Sequence, residues 1–276
     1  MSISASDVKK LRDQTGAGMM DCKKALTESN GDMEAAIELL RKKGQKVSEK
    51  RADREANQGV IVSLLSDDKK KAVAVELNCE TDFVAKNEEF VEYANDFARA
   101  IFEQEPADRD ALLAAKVRNL TVADMLKDLV GKIGEKIDIG RFEIMKTDGQ
   151  IIDYIHPGNQ LCVLAEFEGP LENAGVGKDV AMQVAAMNPL AVTRDGVDSK
   201  IMEKEKEIAK EQLINEGKPE EIAEKAAAGK MRRFFEERVL LEQKFVKDGS
   251  LSVQDYLKQA GEPTVLSFAR IQLGGQ

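Results

Sequence analysis

The chain has 276 residues, 33% of them charged, and a formal net charge of −9 at pH 7. This length suggests about two domains of ~100–200 residues. No apolar run approaches the ~18 residues of a membrane span, and the first ten residues lack the apolar stretch of a signal peptide. An acidic chain without Trp is a poor candidate for wrapping nucleic acid. Its three cysteines are too widely spaced for a disulfide framework, which predicts a protein of the reducing cytoplasm.

Residues 1–45 carry the pattern of three short helices. The first is predicted to be capped by Ser6 and ended by Gly16, and the third to begin at Asp32 and end at Gly44. Between them the second helix has an apolar stripe of Met19, Cys22, Ala25 and Leu26. Residues 46–58 lack apolar periodicity, which predicts a charged linker.

The rest of the chain repeats one theme, strands followed by a helix. In residues 59–141, a β-rich hairpin precedes a helix that carries Phe90 and Phe97 on its apolar face. Residues 142–197 and 232–276 hold strand-like runs at 142–145, 151–155, 161–167 and 265–273. The helix between them has Val180, Val184 and Met187 pointing inward. We therefore predict an α+β fold with two related subdomains, each built from a strand hairpin and a helix.

Residues 198–231 interrupt the second subdomain. Two charged helical segments flank the turn Gly217–Pro219, which predicts an antiparallel helical hairpin. Its apolar stripe is thin, so the hairpin is expected to project from the body. Whether it stands free or pairs two copies into a homodimer stays open.

Covalent chemistry is weakly supported. His156, the single histidine, could assist Cys79 or Cys162 in a thiol hydrolase, but a free cysteine is more often an apolar filler. Three cysteines and one histidine also make four zinc ligands, yet they lack the close pairs of zinc sites. We therefore expect no enzyme activity, no cofactor and no metal site.

Two features of the N-terminal region resemble ligand-binding motifs. Gly16 and Gly18 begin a nucleotide-loop pattern, but its third glycine would fall at Asp21 and no preceding strand is predicted. The better interpretation is a turn that presents Met19 and Met20, of which at least one is exposed as a flexible apolar partner surface. The basic run 41–54 lacks interleaved aromatic residues, which favours a solvated connector over a nucleic-acid arm.

The segment Glu76–Glu88 lies where a strand is predicted to end and a helix to begin. Thr81 or Asp82 could cap that helix, with Phe83 as a hydrophobic staple. Alternatively, Asp82 and Phe83 project together as an acidic and aromatic tip.

At these residues the sequence resembles the elongation factor Ts family. The resemblance is carried by VKKLRDQTGAGMMDCKKALTESNGDMEAAIELLRKKG (8–44), ELNCETDFVAKNEEF (76–90), KIGEKIDIGR (132–141), the His156 segment, DVAMQVAAMNP (179–189) and GKPEEIAEKAAAGKM (217–231). It implies that residues 1–45 form a ubiquitin-associated-like module. The chain departs from some relatives by stopping at Gln276 without an extra C-terminal helical module, so contacts made through such a module are not expected.

The resemblance implies a guanine-nucleotide exchange factor for elongation factor Tu. Thr81, Asp82, Phe83 and Val84 would then insert beside the partner's Mg²⁺ site and dislodge the ion. His156 would press on another part of the same domain, and Met19 or Met20 would dock on a separate helix. The alternative from another class is a non-catalytic adaptor that binds helices or ubiquitin-like surfaces through its N-terminal module.

Overall fold

The computed structural model describes residues 3–275 and is a mixed α+β fold. Its α-helices are α1 (Ala5–Thr15), α2 (Met19–Glu28), α3 (Met33–Lys50), α4 (Asp82–Ala85), α5 (Glu88–Gln104), α6 (Arg109–Ala114), α7 (Val122–Ile133), α8 (Ala174–Met187), α9 (Ser199–Asn215), α10 (Glu220–Arg238) and α11 (Val253–Gln259). Its strands are β1 (Gln58–Leu65), β2 (Lys71–Cys79), β3 (Lys116–Val117), β4 (Leu120–Thr121), β5 (Ile137–Lys146), β6 (Gln150–Ile155), β7 (Leu161–Phe167), β8 (Lys244–Phe245), β9 (Asp248–Ser252) and β10 (Val265–Gln272).

The three predicted N-terminal helices are present and share a small core that includes Leu11 and Leu26. Asp32 caps α3, as predicted, by accepting from the backbone N–H of Ala35. The prediction that Ser6 caps α1 is wrong, because the cap is Ser4. Its side chain accepts from the N–H of Asp7 while the Asp7 carboxylate accepts in return, so the capping box outweighs the later serine.

The prediction that Gly44 ends the third helix is also wrong, since α3 continues to Lys50. Gly44 is buried against α7, where a Cβ at position 44 would lie 2.9 Å from the carbonyl oxygen of Lys127 and 3.3 Å from the Cα of Gly131. The glycine therefore permits two helix backbones to touch. Part of the expected linker 46–58 is consequently helical.

The first sheet has the order β1-β2-β5 and is antiparallel throughout. Both of its faces are covered. Val73, Val75 and Leu77 face α5 and α7, whereas Ala72 and Ala74 face the second sheet. This double burial explains why β1 and β2 are nearly continuous apolar runs.

The second sheet has the order β10-β7-β6, also antiparallel. In each sheet a hairpin is followed by a helix, and a later strand returns to pair with the second strand of the hairpin. The grouping of residues 142–145 differs from the prediction, because they belong to β5 and pair with β2. Small and branched side chains fill the space between the two sheets: Ile61, Ala72, Ala74, Ile151, Cys162, Leu164 and Ile271.

Helix α8 covers the outer face of the second sheet. Val180 and Val184 are buried there as predicted. The inward placement of Met187 is wrong, since it is 40% exposed. Met187 is the last residue of α8, and Asn188 leaves the helix with a positive φ of 44°, so the buried stripe ends one turn earlier.

The predicted helical hairpin is formed by α9 and α10, with α10 running on to Arg238. Gly217 turns the chain with a φ of 85°. The two helices bury little except Ala209, Leu213, Ala223 and Ala227. Among residues 3–275, none of the helices combines the length and apolar composition required to cross a membrane.

Candidate partner-binding site

The segment between β2 and α5 forms the tip, which we define as residues 81–84. Thr81 is extended and caps α4, accepting from the N–H of Val84 at 3.4 Å. Helix α4 is a single turn, so it changes the chain direction within four residues. The next helix, α5, begins after Asn87, which caps it by accepting from the N–H of Glu89.

The four tip residues divide into an anchored and an exposed pair. Thr81 and Val84 are half-buried, and Val84 packs against the core beneath the first sheet. Phe83 is 82% exposed and Asp82 is exposed beside it. Phe83 is therefore no hydrophobic staple, and the alternative of an acidic and aromatic projection agrees with its exposure.

The Asp82 carboxylate accepts a hydrogen bond from Lys86 Nζ at 2.7 Å, one helical turn along the chain. This hydrogen bond and the charge of Lys86 hold the pKa of Asp82 below its usual range. Asp82 thus carries a full negative charge at neutral pH. The ion pair is exposed to solvent, so breaking it costs little free energy when Asp82 binds another group.

Two residues that the sequence prediction missed hold the base of the tip. Glu135 accepts from the Thr81 N–H at 3.0 Å and from Thr81 Oγ1 at 2.7 Å. Glu80 accepts from the backbone N–H of Lys136 at 2.6 Å and pairs with Arg51 Nη1 at 2.6 Å. Both glutamates lie in segments that carry the family resemblance, but nothing in their spacing indicates that they meet.

Met19 and Met20 begin α2 on the N-terminal helices. Both are exposed, 47% and 67%, while the opposite side of α2 buries Cys22, Ala25 and Leu26. The prediction that at least one methionine is exposed is confirmed, and in the structure both are exposed. Two adjacent flexible apolar side chains in water suit contact with another protein.

His156 lies in the exposed turn between β6 and β7. Its Nδ1 is 2.9 Å from the hydroxyl of Tyr154. The same turn reaches the first sheet, where the carbonyl of Asn159 accepts from the N–H of Ile61 at 2.7 Å. His156, the tip and the two methionines therefore stand on three separate elements.

The cysteines do not form a nucleophilic site with His156. Cys79 and Cys162 are buried in the cores, and burial raises the pKa of each thiol to about 12. A nucleophilic cysteine requires a thiolate, which neither residue supplies at neutral pH. Within residues 3–275, no group of three or more His, Cys, Asp or Glu side chains is arranged to hold a metal ion.

Comparisons with known proteins place the chain in one family. The family model described as "Elongation factor TS" matches residues 80–275. The chain is 46% identical over 274 residues to elongation factor Ts of Christiangramia forsetii, covering 99% of both chains. It is 46% identical over 284 residues to that of Prosthecochloris aestuarii, covering 99% of both. It is 42% identical over 287 residues to that of Aquifex aeolicus, covering 100% of this chain and 99% of the relative. The chain belongs to the elongation factor Ts family.

Proposed function

We propose that this protein binds elongation factor Tu in its GDP-bound state, promotes GDP release and remains bound until GTP enters. The observation that carries the proposal is the exposed Asp82–Phe83 pair on a fixed one-turn helix. The names of the relatives support the assignment to translation elongation. The action forms and breaks no covalent bond.

The thermodynamic requirement is differential binding. By linkage, the factor by which this protein weakens GDP binding equals the factor by which GDP weakens its own binding. A 10³-fold effect corresponds to about 4 kcal/mol. The protein must therefore contact features of the GTPase that change when nucleotide and Mg²⁺ are present.

Phe83 is suited to enter an apolar pocket on the partner. Its ring lies in water in the free protein, and burying a phenylalanine contributes about 1.5–3 kcal/mol. Asp82 would arrive beside it as an anion and compete for the water and side-chain partners around Mg²⁺. The ion carries the largest local charge in such a site, so its loss weakens the hold on the GDP phosphates.

The other exposed elements complete the proposed interface. Met19 and Met20 would dock on a separate helix and add binding free energy without touching the nucleotide. His156 would press on the nucleotide-binding domain and help to displace the phosphate loop. A homodimer through α9 and α10 remains a prediction, as does the division into a module, a linker, two core subdomains and the hairpin insertion.

Release of labelled GDP from elongation factor Tu tests the proposal. Saturating protein is expected to accelerate release strongly. Phe83→Ala is expected to lower the accelerated rate about 10–100-fold, roughly the range that a lost apolar burial of ~1.5–3 kcal/mol gives. Asp82→Ala is expected to lower the rate as well, because the anion that competes around Mg²⁺ is lost. Thermal unfolding should not change, because both side chains are exposed.

Val246→Ala is the matched control, since Val246 is a 50% exposed apolar residue on another element, the turn between β8 and β9. It should leave the release rate unchanged. Unaltered release with wild-type protein contradicts the exchange proposal. If a complex with elongation factor Tu then still forms, the adaptor function takes its place.

A further inference from the structure

The tip cannot hold its own orientation. Helix α4 has four residues, and a helix of one turn is unstable unless tertiary contacts hold it. Within residues 3–275, Asp82 bonds only to Lys86 on the same segment, and Phe83 is almost entirely in solvent. Packing of Val84 and Ala85 on the core holds the inner side of α4. The start of the helix, which carries Asp82 and Phe83, is held by the residues at the base of the tip.

Glu135 provides one fixing point. It lies between α7 and β5, 54 positions from Thr81 in sequence, and its two carboxylate oxygens each accept a separate hydrogen bond from Thr81. Bonds from neutral donors to an ionised carboxylate are shorter and stronger than neutral ones. Both the backbone and the side chain of the capping residue are thereby fixed before α4 starts.

Glu80 provides the second fixing point, and it also connects the base of the tip to the N-terminal helices. Its Oε1 accepts from the Lys136 N–H and from Arg51, the residue that follows α3. These bonds lower the pKa of Glu80 and keep it ionised. In return, Lys136 Nζ donates to the carbonyls of Ala52 and Arg54, at 2.7 and 2.8 Å.

The two consecutive pairs Glu80–Thr81 and Glu135–Lys136 thus bond crosswise, and we call these four residues the brace. We propose that Glu135 and Glu80 are positioning residues for the tip. Glu135 sets the direction of Asp82 and Phe83, and Glu80 locks that direction to the end of α3. This inference rests on the proposed function for its effect on GDP release, but the brace itself can be tested in the free protein.

The expected advantage is preorganisation. A tip that is already ordered loses little conformational entropy when it docks. More of the free energy of its contacts therefore remains to stabilise the complex with the GTPase that is losing GDP. Loss of the brace should therefore reduce the rate at which the bound complex releases GDP. It should do so although neither glutamate is part of the exposed pair.

Glu135→Ala removes the Glu135–Thr81 half of the brace and leaves the bond from the Lys136 N–H to Glu80, whereas Glu135→Gln keeps the side-chain size and one acceptor oxygen. Glu143→Ala is the matched control, because the carboxylate of Glu143 on β5 accepts its hydrogen bonds from the nearby Arg141 and not from the tip. Three quantities are measured: amide hydrogen exchange in the free protein, thermal unfolding, and GDP release at saturating protein. The informative amides are those of Thr81, Ala85 and Lys86, which donate hydrogen bonds within the tip region.

For Glu135→Ala we expect these amides to exchange at least 10-fold faster while amides of the first sheet are unchanged. GDP release should slow about 5–20-fold, with Glu135→Gln intermediate and Glu143→Ala like wild type. Unchanged tip amides in both Glu135 variants overturn the proposal. Equal acceleration across the whole chain also overturns it, because Glu135 would then serve stability alone. If the tip amides respond but wild-type protein leaves GDP release unaltered, the positioning role holds and the exchange function fails.

Discussion

At the scale of single residues, some apolar side chains are exposed and one polar side chain is fully buried. Phe83, Met19 and Met20 leave apolar surface in water, which the fold alone does not require. By contrast, Gln183 is completely buried and its side chain makes three hydrogen bonds. It donates to Gln243 Oε1 and to the Lys244 carbonyl at 3.1 Å, and it accepts from the Val246 N–H at 2.7 Å.

This network predicts a large cost for Gln183→Leu. The leucine would leave the Val246 N–H and two oxygens without their partner inside the protein, and each orphaned group costs about 1–3 kcal/mol. We expect the free energy of unfolding to fall by about 2–4 kcal/mol in urea titrations. Gln212→Leu on the exposed face of α9 is the control and should change it by less than about 0.5 kcal/mol. Equal effects of the two changes would contradict the role of the network.

At the scale of elements, the crossing of α3 and α7 joins the N-terminal helices to the core. A Cβ at Gly131 would lie 2.8 Å from the Cα of Gly44, so neither position has room for a side chain. The contact is therefore made by backbone atoms, and no rotamer change can relieve a substitution.

Gly131→Ala should weaken this crossing. We expect a loss of about 1–3 kcal/mol in the free energy of unfolding, measured by urea titration, from overpacking that the two backbones cannot absorb. Gly229→Ala is the matched control, because Gly229 lies within α10 with open space at its Cβ. Alanine there should stabilise the protein by about 0.5–1 kcal/mol. A gain of stability from both changes would show that the crossing is not tight.

At the scale of the whole molecule, the ionisation of two buried thiols makes the free energy of unfolding depend on pH. Burial raises the pKa of Cys79 and of Cys162 from 9.0 to about 12, so each thiol ionises more easily in the unfolded chain. Their contribution to stability is complete below pH 9 and is lost as the pH rises toward 12. Each pKa unit corresponds to about 1.4 kcal/mol.

We therefore expect the free energy of unfolding to decline between pH 9 and pH 11 in denaturant titrations. The variant with both Cys79→Ala and Cys162→Ala should decline less steeply over the same interval. Other groups titrate there too, including Tyr256 with a pKa of about 12, and they contribute equally to both proteins. Parallel curves for the two proteins would contradict the assignment to the thiols.

Local sequence patterns predicted most of the helices and strands but not which of them pack or pair with one another. Asp32 as a cap and the helix face with Phe90 and Phe97 follow from residues close in sequence, and the structure confirms them. Gly44 ends no helix because its role is set by Gly131, 87 positions away. The pairing of β5 with β2 depends in the same way on a distant strand.

The candidate site shows the same limit. The exposure of the tip agrees with the acidic and aromatic pattern of Asp82 and Phe83, which is visible in four consecutive residues. The contact of Glu135 with Thr81 spans 54 positions and leaves no periodic signal in the sequence. Residues that support a site from a distance are therefore the ones that sequence patterns miss.

Helix α3 is fixed at two places, at Gly44 by α7 and at Arg51 by Glu80. They are seven positions apart, a rise of about 10 Å along the helix. A helix that is fixed at two positions cannot swing about either of them. In the proposed complex, Met19 and Met20 on α2 and Phe83 on the tip would therefore meet the GTPase at a constant spacing. A GTPase whose two contact surfaces are spaced differently would then bind less tightly.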